Sequence, residues 1–296
     1  MSSVLKWQGM GFVILAIIIT VGTFAMPQPD ERTALIIIAV LIIVLGVPHG
    51  AFDTIFAHKL YGIKTVRGWA LGSVAYGLLS LLVVGIWMIA PTVFLAGFLL
   101  ISAAHFSGDP RSDSLKISRV LYGGAVIVLP TLRHADEVNR LFGLVADPNA
   151  AAFLTPWLAA LAWPWLVALL ISFILEFPRH RLTAFELLAV GILCTITFPL
   201  VGFTVFFCLM HSARHILRTF DYAKQLSPWL IIGAGIMPMV LVLIGAAIAW
   251  ALLEGVALET RIVQIIFVGL AALTVPHMAL VERVRLSGWR PSVRSL

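Results

Sequence analysis

Charged residues are scarce in this chain. Asp, Glu, Lys and Arg make up 11% of its 296 residues, whereas soluble domains carry about 25%. Hydrophobic residues make up 61%, and the mean hydropathy is +1.04. Apolar runs recur along the whole chain, each close to the roughly 20 residues that cross a bilayer as a helix. The composition therefore excludes a soluble domain and predicts an all-α, polytopic integral membrane helical bundle.

Disulfides and a cleaved leader are not predicted either. Both cysteines, Cys194 and Cys208, lie in apolar helical sequence, so no disulfide framework is indicated. The first apolar run ends at positions 26–29 without a small-x-small cleavage pattern, and we interpret it as the first span. The net charge of +6 does not indicate nucleic-acid binding, because its distribution fits a membrane topology.

We predict about ten transmembrane helices, within a range of eight to ten. Pro199 and Gly202 are typical of a turn, so the long apolar region 183–217 is divided into two spans. The longest loop, 133–152, is too short to bury a core of its own. We therefore expect residues 1–296 to form a single membrane-embedded catalytic domain. The predicted span cores are 8–26, 33–52, 69–89, 92–108, 117–132, 153–175, 183–198, 200–217, 229–252 and 261–281.

The basic residues support this division. With ten spans, all but four of the 20 Lys and Arg fall in segments on one side of the membrane, and the exceptions are Arg32, Arg133, Arg140 and Arg261. Basic residues concentrate on the cytoplasmic side of membrane proteins. The pattern predicts a multi-pass protein of the cell membrane with cytoplasmic N- and C-termini.

Five histidines fall inside predicted spans, where ionisable residues are costly and usually functional. All five lie on spans that run from outside to inside, and each lies in the inner half of its span. Four helices would therefore bring imidazoles to a similar depth. Such a cluster predicts a metal site near the cytoplasmic side, although any one histidine alone is equally consistent with helix packing. The five are His49, His105, His211, His215 and His277.

Spacing within the motifs suggests further roles. His211 and His215 are four residues apart, which places both imidazoles on one helix face. Asp53 follows His49, and Asp109 follows His105, also at four residues. Each carboxylate is a candidate to orient an imidazole; the alternatives are a headgroup-level residue for Asp53 and a loop residue for Asp109. Arg214 lies between the paired histidines, points to another face and is expected to extend toward the headgroups.

A site rich in imidazole suits Zn, Cu, Fe or Ni. The 27 Phe and Trp residues favour an apolar substrate. No H-E-x-x-H pattern occurs, which disfavours a zinc metalloprotease. The repeated H-x-x-H-H clusters of membrane di-iron hydroxylases are absent as well. A different lipid hydroxylase, a metal or haem transporter and a structural membrane subunit remain as alternatives.

The histidine motifs resemble those of the Brp/Blh family of membrane-embedded beta-carotene 15,15'-dioxygenases. The order and spacing of four short motifs agree across nearly the whole chain. One departure is Phe52, which stands where the family pattern is expected to have Leu. The motifs are Pro48-His49-Gly50-Ala51-Phe52-Asp53, then His105-Phe106 with Asp109, then His211-Ser212-Ala213-Arg214-His215, and finally Pro276-His277-Met278.

This resemblance implies that O2 cleaves the central double bond of beta-carotene to give two molecules of retinal, with Fe(2+) as cofactor. It implies metal-binding roles for His49, His105, His211 and His215, and we add His277 as a fifth ligand or near neighbour. Retinal supply to a microbial rhodopsin is also implied. On this basis the polyene is expected in an apolar tunnel with membrane lipids around the protein.

Three further residues are expected to act in catalysis. Asp53 and Asp109 would orient ligands or close the cytoplasmic side. Tyr76, inside the third predicted span, would steady an oxygen or a polyene cation; packing with a bonded hydroxyl is the alternative.

Overall fold

The computed structural model describes residues 3–25 and 30–286, which are helical and contain no β-strand. The predicted end of the first span and the basic residues Arg290 and Arg294 lie outside these residues. Two π-helical segments, Ile42–Gly46 and Phe206–Ser212, interrupt the α-helices. The α-helices are α1 Ser3–Ala25, α2 Glu31–Leu41, α3 Pro48–Ala51, α4 Asp53–Tyr61, α5 Val66–Ile89, α6 Pro91–Phe106, α7 Lys116–Val128, α8 Thr131–Val145, α9 Pro148–Glu176, α10 Arg181–Ile196, α11 Pro199–Val205, α12 Ala213–Tyr222, α13 Pro228–Leu252 and α14 Leu258–Leu286.

Within the described residues, seven helical stretches are long and apolar enough to cross a membrane. The all-α membrane bundle is thereby confirmed, but the count of ten spans is not. Three predicted spans correspond to shorter helices: α6 and α10 have 16 residues each, and α7 has 13. A straight crossing needs about 17–25 residues. The seven stretches are Ser3–Ala25, Glu31–Tyr61, Val66–Ile89, Pro148–Glu176, Pro199–Tyr222, Pro228–Leu252 and Leu258–Val284.

The segment 133–152 is not the loop that the sequence suggested. It forms most of α8 and the beginning of α9, and the two helices pack against each other. Val138, Leu141 and Val145 recur at helical spacing and are buried. This amphipathic pattern is short and rich in charge, so it does not resemble a membrane span, but one face still packs on the bundle.

Exposure in this structure runs opposite to that of a water-soluble protein. Helix α5 buries no residue, and α13 buries only Ile231 and Gly235. Large apolar side chains cover these outer helices, while histidines, carboxylates and one arginine are buried inside. Contiguous apolar surface of this extent is unstable in water but suits lipid. The outer helices therefore face hydrocarbon and surround a core in which these polar side chains lie among buried apolar ones.

The second span is broken where its functional residues begin. The π-helical segment Ile42–Gly46 precedes Pro48, whose missing N–H and ring disturb a regular α-helix. Helix α3 then ends at Ala51, and α4 begins at Asp53 after Phe52, which has φ −82° and ψ 4°. The span is therefore interrupted once before Pro48 and again at Phe52.

The predicted break within 183–217 is present, but of the two helices that it separates only the second belongs to a stretch long enough to cross a membrane. Helix α10 ends at Ile196, and α11 begins at Pro199 after two extended residues. Helix α11 continues directly into the π-helical segment Phe206–Ser212. This segment contacts the π-helical segment of the second span. Single-turn π-helical insertions are rare and concentrate at functional sites. Here the two segments meet beside the buried histidines.

Candidate metal centre

The structure brings together the five histidines that the sequence placed at one depth. All five are buried, with 2–7% of each residue exposed. His105 and His211 have ring centroids 4.5 Å apart, and His49 lies 5.0–5.4 Å from three of the other rings. His277 lies 5.0 Å from His215 and 5.1 Å from His105. We call these five residues the histidine cluster.

The donor atoms of the histidine cluster fit a metal ion. Candidate ligand nitrogens of His49, His105 and His277 all lie within 4.8 Å of one another. Within the described residues, Nε2 of His105, His211 and His277 is buried and has no hydrogen-bond partner. Leaving a buried polar atom unsatisfied costs about 1–3 kcal/mol. Several such atoms facing one another are explained if they share an ion, so the residues present fit a bound metal.

Asp53 holds His277, not the histidine four residues before it. Its Oδ1 accepts a hydrogen bond from Nδ1 of His277 at 2.7 Å, and its Oδ2 accepts one from the Tyr76 hydroxyl at 3.0 Å. The predicted shared face of His49 and Asp53 is wrong because the helix breaks at Phe52 between them. The carboxylate therefore crosses to a different span.

Asp109 also contacts a histidine of a different span, and not the histidine four residues before it. Nδ1 of His211 lies 3.0–3.1 Å from its two carboxylate oxygens, and both side chains are buried. Helix α6 ends at Phe106, so the interval from His105 to Asp109 is no longer a helical turn. Asp109 thus lies in a loop and also contacts an imidazole, but that imidazole is on the eighth predicted span and not on its own; the orienting role stays a prediction.

Two other imidazoles contact groups close to them in sequence, and His49 has a further partner from another span. Nδ1 of His49 lies 2.5 Å from the Gly46 carbonyl oxygen and 3.1 Å from the Ser212 hydroxyl. Nδ1 of His215 lies 3.5 Å from Oγ1 of Thr219. When Nδ1–H donates outward, the lone pair remains on Nε2, the nitrogen that faces the centre. The oxygen atoms beside Nδ1 are thus compatible with the tautomer that metal ligation through Nε2 needs.

The Tyr76 hydroxyl contacts the carboxylate that holds His277. It also donates to the Leu273 carbonyl oxygen at 3.3 Å. These two contacts show where the hydroxyl is directed. The hydroxyl is therefore bonded, as the packing alternative expected, and direct stabilisation of an oxygen or a polyene cation by Tyr76 stays a prediction.

Arg214 does not extend to the headgroups. It is 1% exposed and forms a paired contact with Glu186, at 2.6 and 3.1 Å, within the bundle. Its Nε donates to Gln8 Oε1 at 2.9 Å. Sequence reasoning missed Gln8 and Glu186. Glu186 is a carboxylate within an apolar predicted span, and that position alone indicated a buried partner of opposite charge.

A family model described as Beta-carotene 15,15'-dioxygenase matches residues 40–284, which include the whole histidine cluster, Asp53, Tyr76 and Asp109. The chain belongs to this family. A beta-carotene 15,15'-dioxygenase from uncultured marine bacterium 66A03 is 31% identical, over 82% of this chain and 90% of that protein. A Halobacterium salinarum protein named "Probable beta-carotene 15,15'-dioxygenase Blh" is 24% identical over 81% of both chains. No solved structure matches.

Aromatic rings surround the cluster in this beta-carotene 15,15'-dioxygenase family member. Phe106 lies 4.9 Å from the His211 ring centroid, and Phe207 lies 5.5 Å from that of His49. Phe56 lies 5.7 Å from His215. A small polar cavity adjoins the cluster, so it is not the apolar tunnel expected from the sequence. It is lined by His105, Gly108, Asp109, His211, His215, Arg218, Val281 and Glu282.

The remaining histidines lie outside the cluster. His58 is exposed near the end of α4, and its Nδ1 lies 2.7 Å from the Ile63 carbonyl oxygen. His134 contacts the Ile196 carbonyl oxygen, and His180 precedes α10. The contacts of these three imidazoles are therefore with main-chain oxygens or loop residues, away from the buried five.

Proposed function

We propose that this chain cleaves the central 15,15' double bond of beta-carotene with O2, giving two molecules of retinal at a metal ion held by the histidine cluster. The reaction balances without another reductant, because each oxygen atom of O2 ends in one aldehyde. The single observation that carries the proposal is the buried five-imidazole cluster inside a chain of this family.

We assign the metal as Fe(2+), coordinated by Nε2 atoms drawn from His49, His105, His211, His215 and His277. Neutral imidazole ligands suit iron among other transition metals. Bound iron would supply the ability to activate O2, which reacts poorly with a closed-shell polyene. The three neighbouring nitrogens of His49, His105 and His277 support this assignment most directly.

The chain's own residues would prepare the site. Asp53 and Asp109 keep the protons of His277 and His211 on Nδ1, so their Nε2 lone pairs face inward. The same carboxylates place negative charge beside a divalent cation whose ligands are neutral. Tyr76 donates a hydrogen bond to Asp53 and so helps to hold its carboxylate in place. These groups orient ligands and balance charge, and they exchange no proton in the net reaction.

Beta-carotene would approach from the bilayer. It is a long, apolar molecule, and aromatic side chains lie against the histidine cluster. Phe106, Phe207 and Phe56 exclude water there and offer apolar surface to the polyene. The outer helices carry apolar side chains that face membrane lipids. A substrate dissolved in the same hydrocarbon needs no passage through water.

We place the protein in the cell membrane, with both termini in the cytoplasm and residues 1–296 acting as one catalytic domain. The distribution of Lys and Arg supports this orientation. Retinal is itself apolar and would leave into the bilayer. A microbial rhodopsin in the same membrane is the proposed recipient.

The test is co-expression with a beta-carotene pathway in bacterial cells. We expect wild type to convert beta-carotene to retinal, at two molecules for each carotene consumed. His211→Ala should leave the carotene intact. His58→Ala is the matched control, because this imidazole is exposed and lies outside the cluster.

Product identity separates the alternatives. A hydroxylase would leave a 40-carbon product, and cleavage away from the centre would give two unequal fragments. Equal retinal formation by wild type and His211→Ala, at equal protein levels, would contradict the proposal. Purified wild type should also contain iron, and catalytically active protein free of metal would refute the metal assignment.

A further inference from the structure

Arg214 has a role that the proposed reaction does not explain. Its guanidinium is 1% exposed and makes contacts with three other parts of the chain. Glu186 on α10 accepts two hydrogen bonds, Gln8 on α1 accepts one, and the main-chain oxygen of Asp109 accepts one at 3.1 Å. Burying an ion pair is costly, and replacement by apolar residues of similar volume is often neutral or stabilising. Packing alone is therefore a poor reason to keep this pair.

The contact with Asp109 connects the pair to the metal centre. Arg218 also donates to the Asp109 carbonyl oxygen, at 2.6 Å, and to that of Gly108 at 2.9 Å. Asp109 follows the end of α6 and lies in a turn, so no helix fixes its backbone. Two guanidinium groups thus hold the main chain of the residue whose carboxylate contacts His211.

We infer that Arg214, held by Glu186 and Gln8, is a positioning residue that fixes the turn at Asp109 and thereby orients His211 toward the metal. This inference rests on the proposed function, since it takes His211 as a ligand. Arg214 does not touch the histidine cluster's inward nitrogens and is not a catalytic residue. The chain of contacts runs from Glu186 to Arg214, to Asp109, to His211.

Gly9 allows α1 to close over this ion pair. A Cβ atom at Gly9 would overlap Oε1 of Glu186 and would lie 2.9 Å from Nη2 of Arg214. Both atoms end flexible side chains, so an alanine would displace the pair and not the helix. Gly11, two residues later on the same helix, has no such neighbour within 4 Å of its Cβ position. The chain therefore offers a matched pair of Gly→Ala substitutions.

The first experiment compares Gly9→Ala with Gly11→Ala in the full-length chain purified in detergent. We would measure Fe(II) affinity anaerobically by competition with a chelator, the thermal midpoint, and kcat and KM for retinal formation. Loss of a group that orients a metal ligand lowers metal affinity or activity roughly 10–100-fold. The Arg214–Glu186 pair is one contact further from the metal than Asp109, which contacts His211 directly. We therefore expect a loss at the lower end of this range for Gly9→Ala, about tenfold in Fe(II) affinity and in kcat, with unchanged KM.

Gly11→Ala should match wild type in all these measurements. The inference is overturned if Gly9→Ala folds and binds Fe(II) as tightly as Gly11→Ala does. If Gly9→Ala fails to fold, the decision passes to the substitutions at Arg214 and Asp109 described next.

The second experiment is a double-mutant cycle between Arg214→Lys and Asp109→Ala, because alanine removes the side-chain contact with His211. Lysine keeps the charge but cannot make the paired contact with Glu186. If Arg214 acts through Asp109, Arg214→Lys should lower Fe(II) affinity in wild type but have little further effect once Asp109 is Ala. Independent, additive losses would mean a general structural role and would refute the inference.

Failure of the proposed function would look different. In that case wild type itself would bind no Fe(II) or make no retinal. The positioning inference fails if wild type binds Fe(II) and makes retinal, but substitutions at Gly9 and Arg214 leave the Fe(II) affinity unchanged.

Discussion

The hydrogen bond between Asp53 and His277 gives a prediction with a calculable size. Asp53→Asn keeps the shape of the side chain and can still accept from Nδ1 of His277, but it removes the negative charge. Hydrogen bonds to charged groups contribute about 1.5–3 kcal/mol, and charged bonds are about twice as strong as neutral ones. Asn should therefore lose about 0.75–1.5 kcal/mol, which is roughly a 4- to 13-fold loss of metal affinity at about 1.36 kcal/mol per factor of ten.

Asp53→Ala removes the whole interaction. The loss should approach the full ~1.5–3 kcal/mol, or roughly 13- to 160-fold in metal affinity. The proposed assay is anaerobic competition of purified protein with a chelator of known Fe(II) affinity. We expect the order wild type, Asp53→Asn, Asp53→Ala, with a clear gap at each step.

Asp113→Asn serves as the control for the same chemical change. The Asp113 side chain is 53% exposed, and its partner is Arg111, away from the histidine cluster. Hydrogen bonds from Arg111 lower the pKa of Asp113 to about 2, so it too carries a charge to lose. Metal affinity should not change in this variant. If Asp53→Ala and Asp113→Asn bind Fe(II) equally tightly, Asp53 does not orient a ligand.

Three other results are expected. Tyr76→Phe should lower Fe(II) affinity, together with kcat, by less than the ~1.5–3 kcal/mol of one hydrogen bond to a charged group, because the hydroxyl reaches His277 only through Asp53; a fall in kcat with unchanged affinity would instead support direct contact with the reacting polyene. Removing metal with a strong chelator should abolish retinal formation, and adding Fe(II) should restore it; activity that survives complete metal removal would refute the metal assignment. Gly46→Ala should lower the free energy of unfolding by about 1–3 kcal/mol, because its Cβ would overlap the Phe207 ring. Gly97→Ala, with open space at that position, is the control, and equal thermal midpoints for the two variants would contradict the packing.

Much of the site could be predicted because the membrane restricts where polar residues occur. An imidazole in an apolar span is costly, so five of them on spans of the same direction predicted one cluster without any contact being known. The turn before Pro199 was predictable for a related reason. Pro and Gly interrupt helices through their local backbone geometry, so a turn can be predicted from them without knowing any distant contact.

The carboxylate pairings could not be predicted. Spacing of four residues joins side chains only while the helix continues, and here it ends at Phe106 after His105 and breaks at Phe52 after His49. Asp53 and Asp109 therefore contact histidines that are 224 and 102 residues away in sequence. The burial of Arg214 was missed because its partners, Glu186 and Gln8, also come from distant helices.

The span count differed for a similar reason. Apolar sequence indicates burial from water, but it does not distinguish contact with lipid from contact with other helices. Helix α7 buries eight of its 13 residues against neighbouring helices, whereas α5 buries none. The amino-acid sequence alone determined the membrane class and which histidines are placed inside it, since both follow from the cost of moving each residue out of water. Only the tertiary structure decided which carboxylate holds which imidazole, because that depends on how separate helices pack side by side.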